Sequence, residues 1–347
     1  MLYSDPFSIT EKYEVEFLKL GDADSILIHY ERNYMPFIIL IDAGNIQDSE
    51  IIKNHIKKYY AFSKKDDSKK YTIDLAICTH PDKDHKGGFF NLLQDDEIDI
   101  TEFWLYDPRN FMDSKDIRGN KTSEDSKIIF SHPEDDDQNL IELIESKRIA
   151  FPRIYPNFEH QYIPIKVLGP TKDYYTERLK DMLEDYMMKT YEEAEISEYE
   201  ENAEIDEIKG KIDSIDDDSS PYNKSSLILS FTPCGKKFLF TGDSTREMLT
   251  YVVNNCSEAC NVDYLKVPHH GSHHNLNTDI IEKVAAKTAI ICAAGNEKHP
   301  DSNIAYWLSR YGTVYSTHKC HQFIRINNGF KRDGMIPVEP LRKKINL

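Results

Sequence analysis

Residues 79–88 of this sequence read Thr-His-Pro-Asp-Lys-Asp-His-Lys-Gly-Gly. Two histidines and two aspartates lie within the six positions from His80 to His85, directly after the apolar run 75–78. Imidazole and carboxylate groups are the ligands that borderline and hard divalent metal ions prefer. Charged groups at the end of a buried strand carry a desolvation cost unless they are paired, and a metal ion would pair them. The stretch therefore predicts a metal site at the end of a strand.

The composition is typical of a globular protein. The 347 residues are 39% hydrophobic and 11% aromatic, which is enough to build a substantial core. The formal net charge of −17 argues at first sight against nonspecific binding to nucleic acid or to a membrane surface. However, residues 171–220 contribute −12 of that charge. The global charge is thus a local feature and says little about the metal site.

The cysteine pattern and the N-terminus favour a cytoplasmic protein. The six cysteines are scattered without a CxxC motif, which predicts reduced and mostly buried thiols instead of a disulfide framework or a zinc finger. Residues 1–12 show no basic region followed by an apolar core, so no signal peptide is expected. No apolar run approaches the roughly 20 residues of a membrane span, so no membrane association is expected.

Strand patterns lie on both sides of the 79–88 stretch. Short β-branched runs at 15–20, 26–30 and 37–41 predict an antiparallel meander. Helical spacing of apolar residues predicts a helix over 48–60, and 72–78 is predicted to be the buried strand before the metal site. The glycine pair 87–88 is expected to permit close backbone approach at the start of a helix whose apolar part begins at Phe89.

The last third of the chain returns to the same pattern. Strands are predicted at 227–231, 237–240 and 264–267, and helices at 246–254, 280–286 and 304–311. The two strand-rich halves suggest a pseudo-duplicated core, and the whole chain, 1–347, is interpreted as one domain.

Two insertions interrupt this core. Residues 107–160 are polar and irregular and then helical, which predicts a loop and helix insertion. Residues 171–222 predict an acidic helical insertion with a continuous helical pattern over 173–211. A solvated helical segment is the favoured interpretation of the acidic insertion. A contact surface for a protein partner, centred on residues 192–220, and a mimic of nucleic-acid charge are the alternatives.

Three ligand-bearing segments each follow a predicted strand. They are residues 80–85, Asp243 and the pair His269-His270. Strands that converge on one sheet edge can bring such segments together, although they are far apart in sequence. Two metal ions about 3.5–4 Å apart need a shared carboxylate and roughly three to four protein ligands each, and this inventory supplies that number.

The motif His80-x-Asp82-x-Asp84-His85 followed by a glycine pair resembles the signature turn of the metallo-β-lactamase fold, in which the second position is usually histidine. With Asp82 in that position, the chain resembles the hydrolase domain of the ComEC/Rec2 DNA-uptake proteins. Further motifs that carry this resemblance are Lys19-Leu20-Gly21-Asp22-Ala23-Asp24-Ser25, Ile41-Asp42-Ala43-Gly44, Asn223-Lys224-Ser225-Ser226-Leu227, Thr241-Gly242-Asp243, Leu265-Lys266-Val267-Pro268-His269-His270-Gly271-Ser272 and His299-Pro300. The match covers the core from about residue 15 to 326 without the acidic insertion.

The resemblance implies an α/β fold, a four-layer αββα sandwich with the acidic insertion added to it. It also implies two divalent metal ions, zinc or manganese, that hold a bridging hydroxide. The implied metal ligands are His80, Asp82, Asp84, His85, Asp243 as the bridging carboxylate, and one of His269 and His270. His270 is favoured over His269 because Gly271 follows it. Asp42 would brace the ligand loop without binding metal.

Two departures from the family pattern are visible. The family's Gly-Gln-Gly-Asp turn is Gly21-Asp22-Ala23-Asp24 here, so its backbone is expected to differ. Many members of the fold also have a histidine ligand between the first motif and the bridging aspartate. His132 and His160 are the available candidates, and neither is expected to bind metal because neither has a matching context.

Several polar residues near the ligands are candidate catalytic residues. Asp84, His273 and His299 are proposed for catalysis, and Ser272 and His274 could bind substrate or protonate a leaving group as well. An ordinary loop role is the alternative for these residues other than Asp84. Lys83, Lys86 and Lys266 could attract a phosphate. The alternative for Lys83 and Lys86 is that they offset the charge of neighbouring carboxylates. For Lys266, a solvent-facing position in its strand is the favoured interpretation.

The function expected from the sequence is that of a metal-dependent phosphodiesterase or nuclease acting on nucleic acid or a nucleotide. The fold also supports hydrolysis of an ester, lactone, thioester or β-lactam, and Asp82 tilts the choice to phosphodiesters. A metal-binding interaction protein that uses the acidic segment is the alternative from another class.

Overall fold

Two six-stranded sheets form the centre of the computed structural model, which describes residues 9–64, 70–111, 123–135, 137–188 and 205–345. The strands of the first sheet are β1 Glu11–Leu18, β2 Ile26–Arg32, β3 Met35–Ile41, β4 Tyr71–Ile77, β5 Ile98–Trp104 and β12 Phe323–Asn328. The strands of the second sheet are β6 Ile165–Gly169, β7 Ile228–Phe231, β8 Phe238–Phe240, β9 Tyr264–Lys266, β10 Thr288–Ile291 and β11 Thr313–Ser316.

The two sheets share a topology. In the first, β1, β2 and β3 form an antiparallel meander, and β4 and β5 continue it in parallel. In the second, β6, β7 and β8 are antiparallel, and β9, β10 and β11 continue in parallel. Strand β12 returns to pair antiparallel with β1. The predicted meander is therefore confirmed.

The inner faces of the sheets pack against each other through aromatic side chains. Tyr13 of β1 contacts Phe238 of β8 with ring centroids 5.4 Å apart, and Phe17 lies 6.4 Å from Phe240. Leu239, between the two phenylalanines, belongs to a different apolar cluster on the other side of the second sheet. Successive side chains of a strand point to opposite faces, so this short strand contributes to two cores at once.

Helices cover the outer faces of the two sheets. They are α1 Ser49–Tyr59, α2 Lys83–Gln94, α3 Leu140–Ser146, α4 Lys172–Met188, α5 Ile205–Asp213, α6 Pro221–Lys224, α7 Arg246–Asn255, α8 Thr278–Val284 and α9 Ser302–Ser309. On the first sheet, Phe89 of α2 stacks edge-on against Phe103 of β5. On the second, Val252 of α7 and Ile280 of α8 join Leu239 in the outer cluster. The predicted mixed α/β architecture with an αββα layering is confirmed.

Helix α2 begins earlier than predicted. It begins at Lys83, because the extended backbone of Asp82 (φ −70°, ψ 150°) ends the preceding loop and its carbonyl accepts from the amide of His85. Apolar periodicity begins only at Phe89, which is why the sequence pattern placed the helix too late. Asp84 and His85 therefore lie in the first turn of a helix, which holds their backbone rigidly.

The acidic insertion is partly built into the core. Its described part includes two helices, α4 and α5. Residues 189–204 lie outside the described residues; they belong to the predicted helix, and 192–204 also belong to the predicted contact segment. Tyr175 and Leu179 of α4 are buried, as are Ile208 and Ile212 of α5. A purely solvated insertion is thus wrong for these helices, because each places apolar side chains in a core cluster.

Within the described ranges, no helix combines the length and the apolar character needed to cross a bilayer.

Candidate metal centre

The ends of three strands bring the ligand-bearing segments together. β4 ends at Ile77, β8 at Phe240 and β9 at Lys266, and the loops that follow them meet at one edge of the sandwich. The backbone amide of His269 donates to the carbonyl of Gly242, 3.4 Å away, which joins the second and third loops. The sequence predicts the site at such a shared sheet edge.

Four side chains offer ligand atoms that all lie within 4.8 Å of one another: Asp84, His85, Asp243 and His270. His85 Nε2 lies 3.4 Å from Asp84 Oδ2 and also 3.4 Å from Asp243 Oδ2. His270 Nε2 lies 3.2 Å from Asp84 Oδ2 and 3.8 Å from Asp243 Oδ2. Two imidazole nitrogens and two carboxylates thus converge on one point, which we call the four-residue group.

The donor set of the four-residue group fits a divalent metal ion. His85 Nε2 is fully buried and makes no hydrogen bond to the described residues, and the same is true of the neighbouring His80 Nε2. A buried polar atom without a partner costs free energy. A metal ion coordinated by these nitrogens would remove that cost, and mixed imidazole and carboxylate ligands suit zinc or manganese. The grouping is therefore suited to binding a divalent metal ion.

Asp42 holds His85 in the orientation that metal binding needs. Asp42 Oδ2 accepts from His85 Nδ1 at 2.8 Å and from the hydroxyl of Thr79 at 2.7 Å, while its Oδ1 accepts from the amide of Thr79 at 2.8 Å. Because a carboxylate accepts only, Nδ1 carries the proton of a neutral His85 and Nε2 presents its lone pair to the group. Asp42 thus occupies the bracing position that the family resemblance implies.

The backbone at His269 and His270 turns the two rings apart. Both residues have positive φ, 44° and 53°, and Gly271 follows with φ 81°. A Cβ on Gly271 would lie 3.0 Å from Pro300 Cβ, so the glycine permits close packing there. His270 Nδ1 donates to the carbonyl of Cys292 at 2.8 Å, which leaves Nε2 for the four-residue group.

His269 is directed to a different partner. Its Nδ1 lies 3.0 Å from Asp218 Oδ2 and 3.0 Å from Asn275 Oδ1, and it does not belong to the four-residue group. Burial alone would lower the pKa of His269, but the hydrogen bond to Asp218 and the charge of Asp243 raise it to about 9. The structure therefore places His270 among the candidate ligands and His269 beside them.

His80 and Asp82 form a less complete second half of the centre. His80 Nε2 lies 3.6 Å from Asp82 Oδ2, and the His80 and His85 rings are 4.1 Å apart. The described residues include all thirteen histidines of the chain. Among these described residues, no group of three or more neighbouring ligand atoms contains His80 or Asp82. His132 packs on Phe90 with ring centroids 4.6 Å apart. His160 likewise packs on Trp104.

Lys266 is buried, and the solvent-facing interpretation of this residue is wrong. The side chain is 1% exposed and forms an ion pair with Asp24, while Nζ lies 3.4 Å from Asp243 Oδ1 and donates to the carbonyl of Gly242 at 2.9 Å. Burial lowers its pKa, but the charges of Asp24 and Asp243 more than offset this and raise it. Lys266 therefore holds Asp243 in place and is not available to substrate.

The two lysines of the motif do not contribute equally to the surface of the site. Lys83 is exposed at the start of α2. Lys86 is buried and its Nζ donates to the carbonyl of Ile129 at 3.1 Å; this burial lowers its pKa to about 8. The expectation that Lys86 could attract a phosphate is therefore wrong, because its ammonium group is engaged beneath the insertion.

When the rings of His85 and His270 each carry a second proton, the electrostatics of the four-residue group favour charged carboxylates. Burial would raise the pKa of Asp84, but the positive charge of His85 and the hydrogen bond from His270 hold it well below its usual value. Burial has the same effect on Asp243, and the charges of His85 and Lys266 again lower its pKa. Both carboxylates are thus ready to act as anionic ligands at neutral pH.

Of the candidate catalytic residues other than Asp84, His299 contacts a member of this group and His273 contacts other residues of its own loop region. The ring centroid of His299 lies 5.6 Å from that of His269 and 5.8 Å from that of His270. Burial first, and then the positive charges of these two histidines, lower its pKa to about 4, so it is neutral at neutral pH. His273 lies further along the loop, with Nδ1 3.2 Å from Asp301 Oδ2 and Nε2 2.9 Å from His274 Nε2.

Sequence reasoning missed Asp24, Asp218 and Asn275 as parts of this centre. Asp218 closes the acidic insertion, where a run of aspartates looked like a solvated tail, yet it accepts from Asn223 at 2.7 Å and from Asn275 at 3.1 Å. Asn275 also donates to the carbonyl of Asp243 at 3.0 Å. Two signals were available: Asp24 lies within the 19–25 motif, and Asn275 directly follows the histidine-rich loop.

Three features decide the fold: the strand order of both sheets, the helices outside them, and the ligands that follow β4, β8 and β9. The chain has the metallo-β-lactamase fold. This fold and the four-residue group together support a metal-dependent hydrolase.

Comparisons with known proteins give partial or distant likenesses. No protein-family model matches the sequence. ComE operon protein 3 of Bacillus subtilis (strain 168) is 34% identical over 96 residues, which are 27% of this chain and 12% of that protein. Igni18, a metallo hydrolase of Ignicoccus hospitalis KIN4/I, matches with a TM-score of 0.41 at 10% identity over 92% of this chain and all of the other. An E377D mutant of the CmlA beta-hydroxylase matches with a TM-score of 0.42 at 9% identity, over 90% and 54% of the two chains.

Asp42→Asn is expected to weaken metal binding, because Asp42 braces the ring of His85. In Asp42→Asn the amide would present an N–H or a weaker acceptor to His85 Nδ1, which favours the tautomer with the proton on Nε2. Asparagine tolerates the positive φ of position 42 (55°), so the backbone should hold. We expect metal affinity to fall by about 10–100-fold, the usual effect of losing such a partner. Competition titration with a chromogenic chelator measures this. Asp263→Asn, at the opposite end of β9, should leave the affinity unchanged, and an equal loss in both variants would contradict the assignment.

Proposed function

We propose that this chain is a metal-dependent phosphodiesterase that hydrolyses nucleic acid or a nucleotide. The observation that carries the proposal is the convergence of Asp84, His85, Asp243 and His270 within 4.8 Å at an edge of the sandwich. Asp82 in the position usually held by histidine, together with the partial likeness to ComE operon protein 3, favours phosphodiesters among the substrates that the fold accepts.

The residues of the four-residue group would hold one divalent ion, and His80 with Asp82 would contribute to a second. We propose zinc or manganese for both, since imidazole and carboxylate ligands suit either. Bound there, the ions would supply Lewis-acid chemistry, lowering the pKa of water and neutralising charge on a phosphoryl oxygen.

The other residues of the site would position the substrate. His269 has Nδ1 fixed by Asp218 and a side chain that is 29% exposed, so its Nε2 is left to contact a phosphate oxygen. Neutral His299, half-buried beside it, can accept a hydrogen bond. Lys266 and Asp42 keep the carboxylate of Asp243 and the ring of His85 in place. These side chains come from distant segments of the chain, and only the folded structure brings them together.

A substrate panel tests the proposal. Purified protein loaded with Mn²⁺ or Zn²⁺ would be assayed on single-stranded DNA, RNA, bis(p-nitrophenyl) phosphate and nitrocefin. We expect turnover of the phosphodiesters, and loss of that turnover in the double variant Asp84→Ala/His85→Ala. Asp99→Asn, on the exposed side of β5, serves as the control and should match the wild type.

Two outcomes would contradict the proposal. Hydrolysis of nitrocefin but of no phosphodiester would favour an acyl hydrolase instead. A double variant as active as the wild type would show that the four-residue group takes no part in the reaction.

A further inference from the structure

A second histidine pair lies in the loop that also carries His270. His273 and His274 follow each other in the loop after His270, and their rings are 4.2 Å apart at an interplanar angle of 54°. Their Nε2 atoms are 2.9 Å from each other. Both side chains are partly exposed, so solutes can reach them.

Each ring is anchored through its other nitrogen. His274 Nδ1 lies 2.9 Å from the backbone carbonyl of Asp216, and His273 Nδ1 lies 3.2 Å from Asp301 Oδ2. A carbonyl and a carboxylate can only accept hydrogen bonds, so both Nδ1 atoms must donate. In the neutral rings, both Nε2 atoms then carry lone pairs instead of protons.

Two lone pairs that face each other across 2.9 Å repel unless a cation lies between or beside them. Nitrogens bound to one zinc-type ion at about 2.0–2.1 Å lie roughly 2.9–3.4 Å apart for bond angles between about 90° and 110°. The observed separation falls at the lower end of this range. A histidine that donates Nδ1–H to a carboxylate or a carbonyl is also the arrangement that accompanies metal ligation through Nε2.

We propose that His273 and His274 form a separate site for a borderline divalent ion such as Zn²⁺, Cu²⁺ or Ni²⁺. Imidazole suits these ions better than it suits Mg²⁺ or Ca²⁺. Two protein ligands bind more weakly than four, so the site fills after the four-residue group and water completes the coordination. The site is distinct from that group, whose ligand atoms come from other residues.

The position of the pair gives such an ion a structural consequence. The guanidinium of Arg246 donates to the carbonyl of His273 and to those of Ile212 and Ile215 at the end of the acidic insertion. Asp216, which anchors His274, belongs to the same segment. An ion on the two rings would therefore tie the end of the insertion to the loop that presents His269 and His270.

Metal counting tests the proposal. Wild-type protein and the double variant His273→Gln/His274→Gln would be dialysed against increasing Zn²⁺, and bound zinc would be measured by mass spectrometry. We expect the variant to bind one equivalent less than the wild type at high Zn²⁺ and the same amount at low Zn²⁺. The matched control His132→Gln/His321→Gln should bind as much as the wild type. Equal zinc in the wild type and the double variant, as a proton shared by the two rings would produce, overturns the proposal.

A second measurement needs no variant. Modification of the wild-type histidines by diethyl pyrocarbonate, read by peptide mass spectrometry, would be compared at low and high Zn²⁺. We expect His273 and His274 to become protected at the higher concentration while His321, exposed near the C-terminal strand, stays reactive. Unchanged modification of the pair overturns the proposal even if the double variant fails to fold.

Discussion

Asp243→Asn is expected to lose bound metal and, with it, hydrolysis. The Oδ2 atom of Asp243 faces His85 Nε2 at 3.4 Å and His270 Nε2 at 3.8 Å, and its Oδ1 accepts from the amide of His269 at 3.2 Å. The amide of asparagine keeps the shape but removes the anionic ligand. A catalytic metal contributes several kcal/mol to stabilising the transition state, and about 4 kcal/mol corresponds to a rate loss of about 10³-fold.

Metal content after exhaustive dialysis is the first readout for this variant, and the rate on bis(p-nitrophenyl) phosphate is the second. Asp99→Asn removes a carboxylate from an exposed position of β5 and should retain both metal and rate. If Asp243→Asn kept the metal content and the rate of the wild type, Asp243 would not be a ligand, and the four-residue group would not be the metal centre.

Gly88→Ala is expected to destabilise the fold and distort the metal centre together. A Cβ on Gly88 would lie 2.1 Å from the backbone oxygen of Ala43, a contact that no side-chain rotation can relieve. The amide of Gly88 donates to the carbonyl of Gly44, and the amide of Ala43 donates to the carbonyl of His85. Helix α2 would therefore have to move away from this loop and would carry its first-turn ligands with it.

We expect this overpacking to cost about 3 kcal/mol of unfolding free energy. The midpoint of thermal unfolding and the metal affinity should both decrease. Gly210→Ala, in the middle of α5, is the matched control, because its Cβ would meet nothing within 4 Å. That variant should be stabilised by about 0.5–1 kcal/mol, the usual gain of alanine over glycine in a helix. A Gly88→Ala protein as stable as the wild type would show that the loop and α2 can separate freely.

The local pattern of the chain was sufficient to predict most of the strands and the inventory of ligands. Strand alternation placed β1 to β4 and β7 to β9 close to their observed bounds, because short β-branched runs between turn residues have few other solutions. The residue types of the 79–88 stretch were enough to predict a metal site. The glycine pair 87–88 was also interpretable, since a residue without a Cβ in such a position signals close backbone approach.

Partners far apart in sequence could not be assigned in this way. The ion pair of Lys266 with Asp24, the contact of His269 with Asp218 and the pairing of His274 with Asp216 each join separate loops. A sequence pattern cannot show which buried charge faces which, because that depends on how the sheets stack. For the same reason it left His269 and His270 as alternatives, while the successive positive φ angles of the folded loop turn only His270 into the four-residue group.

The sequence by itself thus determined that residues 79–88 follow a buried strand and carry a set of metal-binding side chains, because strand pattern and ligand chemistry are local properties. Only the tertiary structure decided that Asp84 and His85 lie in the first turn of α2, that Asp243 and His270 meet them, and that the end of the acidic insertion braces the same loop. The physical reason is that a metal centre is a set of distances between segments, and those distances exist only after the two sheets have packed.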